Sequence, residues 1–422
     1  MGNKVVNDVS NSTIHNPNSP LPEGWRWMRL GECKINPSRP RSFSRGSDAQ
    51  TTFVPMAAVD EKTGTIARPE VVPYSKVSKG YTYFEENDVL FAKITPCMQN
   101  GKHAIAKNLI DGLGFGTTEF HVIRPNNEVL PKWIHFFIRQ PYFLREATAY
   151  FTGAVGQQRV PESFMADYPI PLPPLPEQKR IAAKVQELMV EVEHAHTACE
   201  ARLEAARALP SAYLRQVFES EEAKKWERTR LGEVGPVRDG DWILNTDYRP
   251  SGVRLLQVGD VGLGRFVGKS SRFIGMERAN ELNCTFLEPG DILISRMPDP
   301  IGRACLLPDL GYPCITAVDV SIWRPRLDKA DRQYLTYYLS CSEWISRVGA
   351  FASGATRARI SRSNLEALEV PLPPLPEQKR IAAELKDKMA YAEKLKASIE
   401  KQLETIKALP QAILREAFLG EL

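Results

Sequence analysis

The chain has 422 residues, 43% hydrophobic and 25% charged, with a formal net charge of +4, which is the make-up of a globular protein of about two to three domains. No apolar run reaches the ~18 residues of a membrane span, so no membrane-spanning helix is expected, and the mild basic excess permits a nucleic-acid partner without requiring one. Seven cysteines, odd in number and without CxxC spacing, predict free thiols in a reducing, cytoplasmic setting.

Residues 1–20 lack an apolar core and read as a disordered polar tail rather than a signal peptide. Residues 21–169 form the first predicted domain. Strand-like runs at 52–56, 88–94 and 120–123 are punctuated by Gly and Pro, and 132–139 and 141–149 carry helical periodicity. Residues 170–220 begin with closely spaced prolines, an extended strut feeding a helix, with Pro176 and Glu177 suited to its first turn. The helix has an apolar seam through Ile181, Val185, Leu188, Val192, Ala195, Cys199, Leu203 and Ala206, with steps of four and three. It is predicted to end before Leu209 and Pro210, leaving a short apolar tail with Leu214 and Phe218.

Residues 221–369 form a second domain with strands near 254–258, 291–295 and 318–322. Residues 370–422 repeat the strut and helix, with a seam through Ile381, Leu385, Met389, Ala392, Leu395, Ile399, Leu403 and Ile406. The repeat is literal in places: PLPPLPEQKRIAA stands at 171–183 and again at 371–383. Ala208-Leu209-Pro210 recurs as Ala408-Leu409-Pro410, and Arg124-Pro125 as Arg324-Pro325, whereas 51–100 and 253–300 share little. The chain is therefore a tandem internal repeat of an α+β unit with constant borders and variable interiors. Two such seams in one chain predict an intramolecular coiled coil; the competing reading is two amphipathic helices, each packing on its own domain.

Catalytic signatures are missing. The glycines of 262–270 are out of register for a phosphate-binding loop, because Leu263 occupies a required glycine position. The adenine-methyltransferase pattern of Asn or Asp followed by Pro-Pro-aromatic is absent, as is a glycine-rich cofactor turn. Pro298-Asp299 and Pro308-Asp309 lack an acidic-x-Lys partner for a nuclease. His194 and His196 point apart on a helix, and no Cys/His set has zinc spacing, so no metal is expected.

Recognition chemistry is present instead. One polar cluster follows the 88–94 strand: Lys93, Thr95, Gln99, Asn100 and Lys102, matched in the second copy by Ser295, Arg296 and Arg303. Another precedes each strut: Gln157, Gln158 and Arg159, against Thr356, Arg357 and Arg359. Gln suits adenine edges and Arg suits guanine or phosphate. Arg159 and Arg359 occupy the same place in both copies, so they fit phosphate contact or bracing better than different sequence readout. Each residue reads alternatively as a solvated polar loop. A helix of ~30 residues is ~45 Å long, enough to hold two modules about one DNA turn, roughly 34–36 Å, apart.

The duplicated PLPPLPEQKRIAA, the helices after it, the opening Leu21-Pro22-Glu23-Gly24-Trp25 with Arg29-Leu30-Gly31-Glu32, and the variable interiors resemble the specificity subunit of type I restriction–modification enzymes. That resemblance implies two target-recognition domains, each reading half of an asymmetric bipartite site in double-stranded DNA. It implies an antiparallel coiled coil that sets the spacer and docks two modification subunits. Restriction subunits would join this core in phage defence. S-adenosylmethionine, ATP and magnesium would belong to those partners, with no cofactor or catalysis in this chain. The rival outside this class is a non-catalytic protein-interaction scaffold, whose association would be insensitive to salt where DNA binding is not.

Overall fold

The computed structural model describes residues 19–154, 156–298, 300–352 and 358–422; the tail expected over 1–20 lies, through residue 18, outside them. Two compact units result, Met1–Ala198 with Gln402–Leu422, and Cys199–Lys401.

The first unit is closed at its base by Arg26–Arg29 pairing antiparallel with Pro169–Leu172. Leu30 N–H donates to the Tyr168 carbonyl at 2.9 Å, so positions 168, 170 and 172 face the partner strand. Pro169 and Pro171 fall on the opposite edge, where a missing N–H removes no ladder bond. The freed Pro171 carbonyl accepts from Trp133 Nε1 at 2.9 Å.

Two four-stranded sheets make up the body of the unit. The first has the order Lys34–Ile35, Phe120–Arg124, Val89–Ala92, His103–Ile105, all antiparallel. The second has the order Glu70–Pro73, Gln50–Val54, Leu113–Gly116, Thr82–Glu85, its middle pair parallel. Val89–Ala92 is apolar throughout because both faces are covered: Val89 and Phe91 join the core under helices Pro131–Ile138 and Pro141–Ala149, while Leu90 and Ala92 join the core shared with the second sheet.

The second unit repeats the first sheet strand for strand, as Val237–Arg238, Val320–Trp323, Ile292–Ser295, Ala304–Leu306. Ile292 and Ile294 face one core and Leu293 the other. Its second sheet runs Tyr248–Arg249, Arg272–Ile274, Val253–Leu256, Cys314–Thr316, again with one parallel pair. Three strands correspond between the units; the fourth is added at opposite edges, beside Leu113–Gly116 in one and beside Arg272–Ile274 in the other. The α+β class and the tandem repeat are as the sequence predicts, and the variable interior turns out to be variable in topology as well.

The repeated motif has a mechanical purpose. Gln178 is 0% exposed, donates through Nε2 to the carbonyls of Glu128 (2.7 Å) and Pro173 (2.9 Å), and accepts from Leu130 N–H at 2.8 Å. Gln378 does the same with Lys329, Pro373 and Asp331. Each glutamine ties its strut and helix start to the loop before the next domain helix. Tyr334 OH donates to the Pro371 carbonyl, the counterpart of Trp133 and Pro171.

The helices span Leu175–Phe218 and Leu375–Leu419, so the predicted ends before Leu209 and Leu409 are corrected: helix continues through Pro210 and Pro410. An interior proline costs about 3 kcal/mol. Beyond it, Leu214 and Phe218 are buried in the second unit's core, and two such side chains contribute about 3–6 kcal/mol, enough to carry the helix past the break. After Pro410, Ile413, Leu414, Ala417 and Phe418 enter the first unit's core with Ile181 and Val185; Leu188 and Val192 pack against its rim. In the second unit Ile381 and Leu385 meet Leu214 and Phe218, and Cys199 Sγ lies 3.7 Å from the Ile399 carbonyl. Within each unit the two helical segments therefore run antiparallel. Leu203, Ile399 and Leu403 are buried and Leu395 half-buried.

Candidate nucleic-acid interface

The central strand of the first sheet delivers the candidate site. Past its end, Val160 N–H donates to the Lys93 carbonyl and Thr95 N–H to the Gln158 carbonyl, both at 3.0 Å. The two polar clusters of the first copy, residues 93–102 and 157–159, are thereby neighbours at one edge of the sheet. The second unit repeats this, with Ile360 N–H donating to the Arg296 carbonyl at 3.3 Å.

Within the first unit the clustered side chains divide in two. Gln99, Asn100 and Gln157 are exposed; Lys93, Thr95 and Gln158 are half-buried. Thr95 Oγ1 donates to Gln99 Oε1 at 2.6 Å, which orients that amide. Burial lowers the Lys93 ammonium from its ordinary value, with Glu119 opposing. Lys102 turns inward to the Val59 carbonyl at 3.1 Å. Arg159 forms a bidentate pair with Glu119, both contacts 2.8 Å, which raises the guanidinium and lowers the carboxyl from their ordinary values.

In the second unit the fold itself uses most of the predicted residues. Ser295 is 0% exposed and donates to the Met297 carbonyl. Arg296, 6% exposed, donates to the Ile360 carbonyl at 2.9 Å and pairs with Asp239; burial lowers its guanidinium from the ordinary value. Arg303, 9% exposed, donates to the carbonyls of Val261 (2.7 Å), Pro300 (3.0 Å) and Val258 (3.0 Å). Arg359 holds the Val318 carbonyl at 3.0 Å and Asp319 at 3.2 Å, the counterpart of Arg159 with Glu119. These arginines brace the loop, and Arg303, with Nε, Nη1 and Nη2 all on backbone carbonyls, has few donors left for a ligand. Thr356 and Arg357 lie outside the described residues.

A second brace went unread in the sequence. Arg124 pairs with Asp88 at 2.9 and 2.8 Å, and Asp88 also accepts from Glu85 N–H at 2.7 Å. Arg324, Asp291 and Glu288 N–H reproduce this at 2.8, 2.9 and 2.9 Å. Burial pushes the Asp88 carboxyl up from its ordinary value against the pull of Arg124, whose own value rises through that bond. Repetition of both the arginine and the aspartate was the available signal. His121 forms a third tie: Nε2 meets the Val160 carbonyl at 2.8 Å and Nδ1 meets Asn36 Nδ2 at 3.0 Å, and burial lowers its value. That pattern fits a neutral ring donating from Nε2 and accepting at Nδ1.

Among the described residues, no group of three or more His, Cys, Asp or Glu is placed to hold a metal ion, and no helix is long and apolar enough to cross a membrane.

Two copies of one braced framework, carrying different loops at the same edge, define a paired recognition architecture. The model of the type I restriction modification DNA specificity domain matches residues 22–198 and again 223–405, and the chain belongs to this family. Among its relatives, the EcoEI specificity subunit of Escherichia coli is 36% identical over 206 residues, covering 49% of this chain and 34% of that one. The EcoAI specificity subunit, also of Escherichia coli, is 38% identical over 170 residues, covering 40% and 28%. This chain thus matches about a third of the length of those relatives. The HsdS subunit from Thermoanaerobacter tengcongensis superposes with a TM-score of 0.72 at 28% identity, over 96% of this chain and 99% of that one. A chain solved in work on complex assembly and conformational transition of the type I R-M system superposes with a TM-score of 0.74 at 28% identity, over 96% and 100%.

Proposed function

We propose that this chain is the DNA sequence-specificity subunit of a type I restriction–modification complex, each unit reading one half of an asymmetric bipartite duplex target. The observation that carries the reading is the pairing of a repeated framework with unlike loops. Asp88 with Arg124, Glu119 with Arg159 and Gln178 recur in the second unit as Asp291 with Arg324, Asp319 with Arg359 and Gln378, while the fourth strand and the loop side chains differ. A shared frame that presents different donors is what two unlike half-sites require.

In this reading Gln99 and Gln157 meet base edges and Lys93 a phosphate, while Arg159 and Arg359 hold the reading loops in place. Residues 21–169 and 221–369 act as target-recognition domains; the helical segments 170–220 and 370–422 set the spacer and dock two modification subunits. Catalysis, S-adenosylmethionine, ATP and magnesium belong to the modification and restriction subunits, and the complex works in the cytoplasm.

The test is methylome sequencing of cells co-expressing the chain with its cognate modification subunit. A bipartite motif methylated in both halves supports the proposal, and exchange of residues 21–169 should then alter one half only. Soluble expression without new methylation, together with salt-insensitive protein association, would instead favour an interaction scaffold.

A further inference from the structure

The loop that follows the first strand of the first sheet lies outside both clusters. In the first unit it spans residues 36–43. Its base is fixed by Asn36, which takes a left-handed φ of 47°, donates N–H to the Val122 carbonyl at 2.7 Å and accepts from Val122 N–H at 3.0 Å. Beyond this anchor stands Arg39, exposed at the edge of a groove of about 470 Å³ lined by Asn36, Ser38, Lys79, Tyr81 and Tyr83 among others, with no carboxylate in the lining.

The Arg39 guanidinium is held on one side only. Nη1 donates to Tyr74 OH at 2.6 Å and to the Ser78 carbonyl at 3.3 Å, and the guanidinium carbon lies 5.5 Å from the Phe43 ring centroid. Its Nε and Nη2 donors have no partner among the described residues. Those two N–H groups form the parallel fork that matches O6 and N7 of guanine, and pinning Nη1 removes much of the side-chain entropy such a contact would otherwise cost.

The second unit has the same loop with different chemistry. By the ladder register, in which Ile35 pairs with Ile123 as Val237 pairs with Trp323, Asp241 stands where Arg39 stands and Trp242 is the next residue. The loop is anchored by Asp239 to Arg296 and by Asp241 N–H to the Thr316 carbonyl at 2.8 Å. Trp242 is 70% exposed and Leu244 is exposed beside it. The same loop therefore presents a hydrogen-bonding fork in one unit and an apolar surface in the other.

We propose that this loop is a base-reading element in both units, and that Arg39 reads a guanine in the half-site of the first unit while Lys79 holds an adjacent phosphate. The inference rests on the DNA-specificity reading above and names residues for it. In the second unit the matching residue, Asp241, is tied to the Thr285 N–H and the neighbouring Trp242 supplies apolar contact, so the second half-site carries no guanine requirement there.

The test is selection by the full chain, with its co-expressed modification subunit, from a pool of duplexes randomised over the methylome-defined site. Wild type should require guanine at one position of one half-site. Arg39→Ala and Arg39→Lys should both relax that position by about 5- to 100-fold while leaving the other half-site intact, and the Lys variant should keep most of the overall affinity. Lys79→Ala should weaken all duplexes alike and reduce the salt slope by about one. If Arg39→Ala weakens every duplex uniformly, or changes nothing, the assignment is overturned. A wild-type complex with no sequence preference would refute the specificity reading itself.

Discussion

Removing the Gln178 amide tests the claim that the repeated motif is a mechanical tie. In Gln178→Ala the Leu130 N–H and the Pro173 and Glu128 carbonyls lose their partner. A buried backbone group left unpaired costs about 1–3 kcal/mol. Glu128 itself is exposed and can recruit water, so about two groups count, and the expected loss is about 2–6 kcal/mol. Native-state hydrogen exchange read by mass spectrometry should show it as a loss of protection of about 30-fold or more in residues 126–131 and 175–185. Gln378→Ala is the internal control and should act on 327–333 and 375–385 instead. Gln178→Glu keeps the acceptor for Leu130 but sets a carboxylate against two carbonyls. Its folded-state carboxyl would be raised, so its protonated, donating form should recover stability as the pH falls below that raised value. Unchanged protection in Gln178→Ala, within about threefold, or equal losses in both units, would refute the tie.

Acid should act on the first unit alone, because all six histidines fall within the first 196 residues. Burial, with Arg139 adding to it, lowers His135 from 6.5 to about 4, and burial also depresses His103. Stability held by neutral rings is complete above about pH 6.5 and is lost as the pH falls toward 4, about 3 kcal/mol from His135 alone; limited proteolysis at pH 7.5 and pH 5 should show cleavage rising in residues 19–198 and not in 199–401. Phe418 lies 4.4 Å from the Trp133 ring and Phe218 5.6 Å from Tyr334, so Phe418→Ala and Phe218→Ala should each remove about 3–5 kcal/mol, from the first and the second unit respectively, as urea unfolding followed by peptide-resolved exchange would show. Of the seven free thiols only Cys97 is not buried, and burial pushes Cys33 up to about 11 and Cys305 up to about 12; native labelling with a thiol reagent should modify Cys97 first, and fast labelling of Cys305 would contradict its burial.

Most of the frame could be read from the sequence because it is written twice. Identical struts at an offset of 200 showed the repeat, and the apolar runs at 88–94 and 291–295 marked central strands whose two faces are both covered. Periodicity located both long helices but misplaced their ends, because propensity rules weigh Pro210 locally whereas Leu214 and Phe218 are held by a core that is remote in sequence. The site was harder to read. Residue type alone did not separate Gln99, which is exposed, from Arg303, whose donors are taken by backbone carbonyls made near only by folding. The groove beside Arg39 has no local sequence signature, because it is assembled from residues 36–39, 78–83 and Phe115, which no spacing rule joins.

The return of Gln402–Leu422 to the first unit reverses the usual order of maturation during synthesis. Amino-terminal domains ordinarily fold first, as the chain emerges at about 5–20 residues per second. Here the second unit is continuous from Cys199 to Lys401 and has all its parts once that stretch is out. The first unit must wait for Phe418, with Trp133 and Phe137 lacking their cover meanwhile. The delay is the translation of the intervening 224 residues (422 less 198), about 10–45 s. A nascent chain is thus exposed to aggregation and proteases at its oldest segment, and a stop codon in the last twenty codons would damage the unit encoded first.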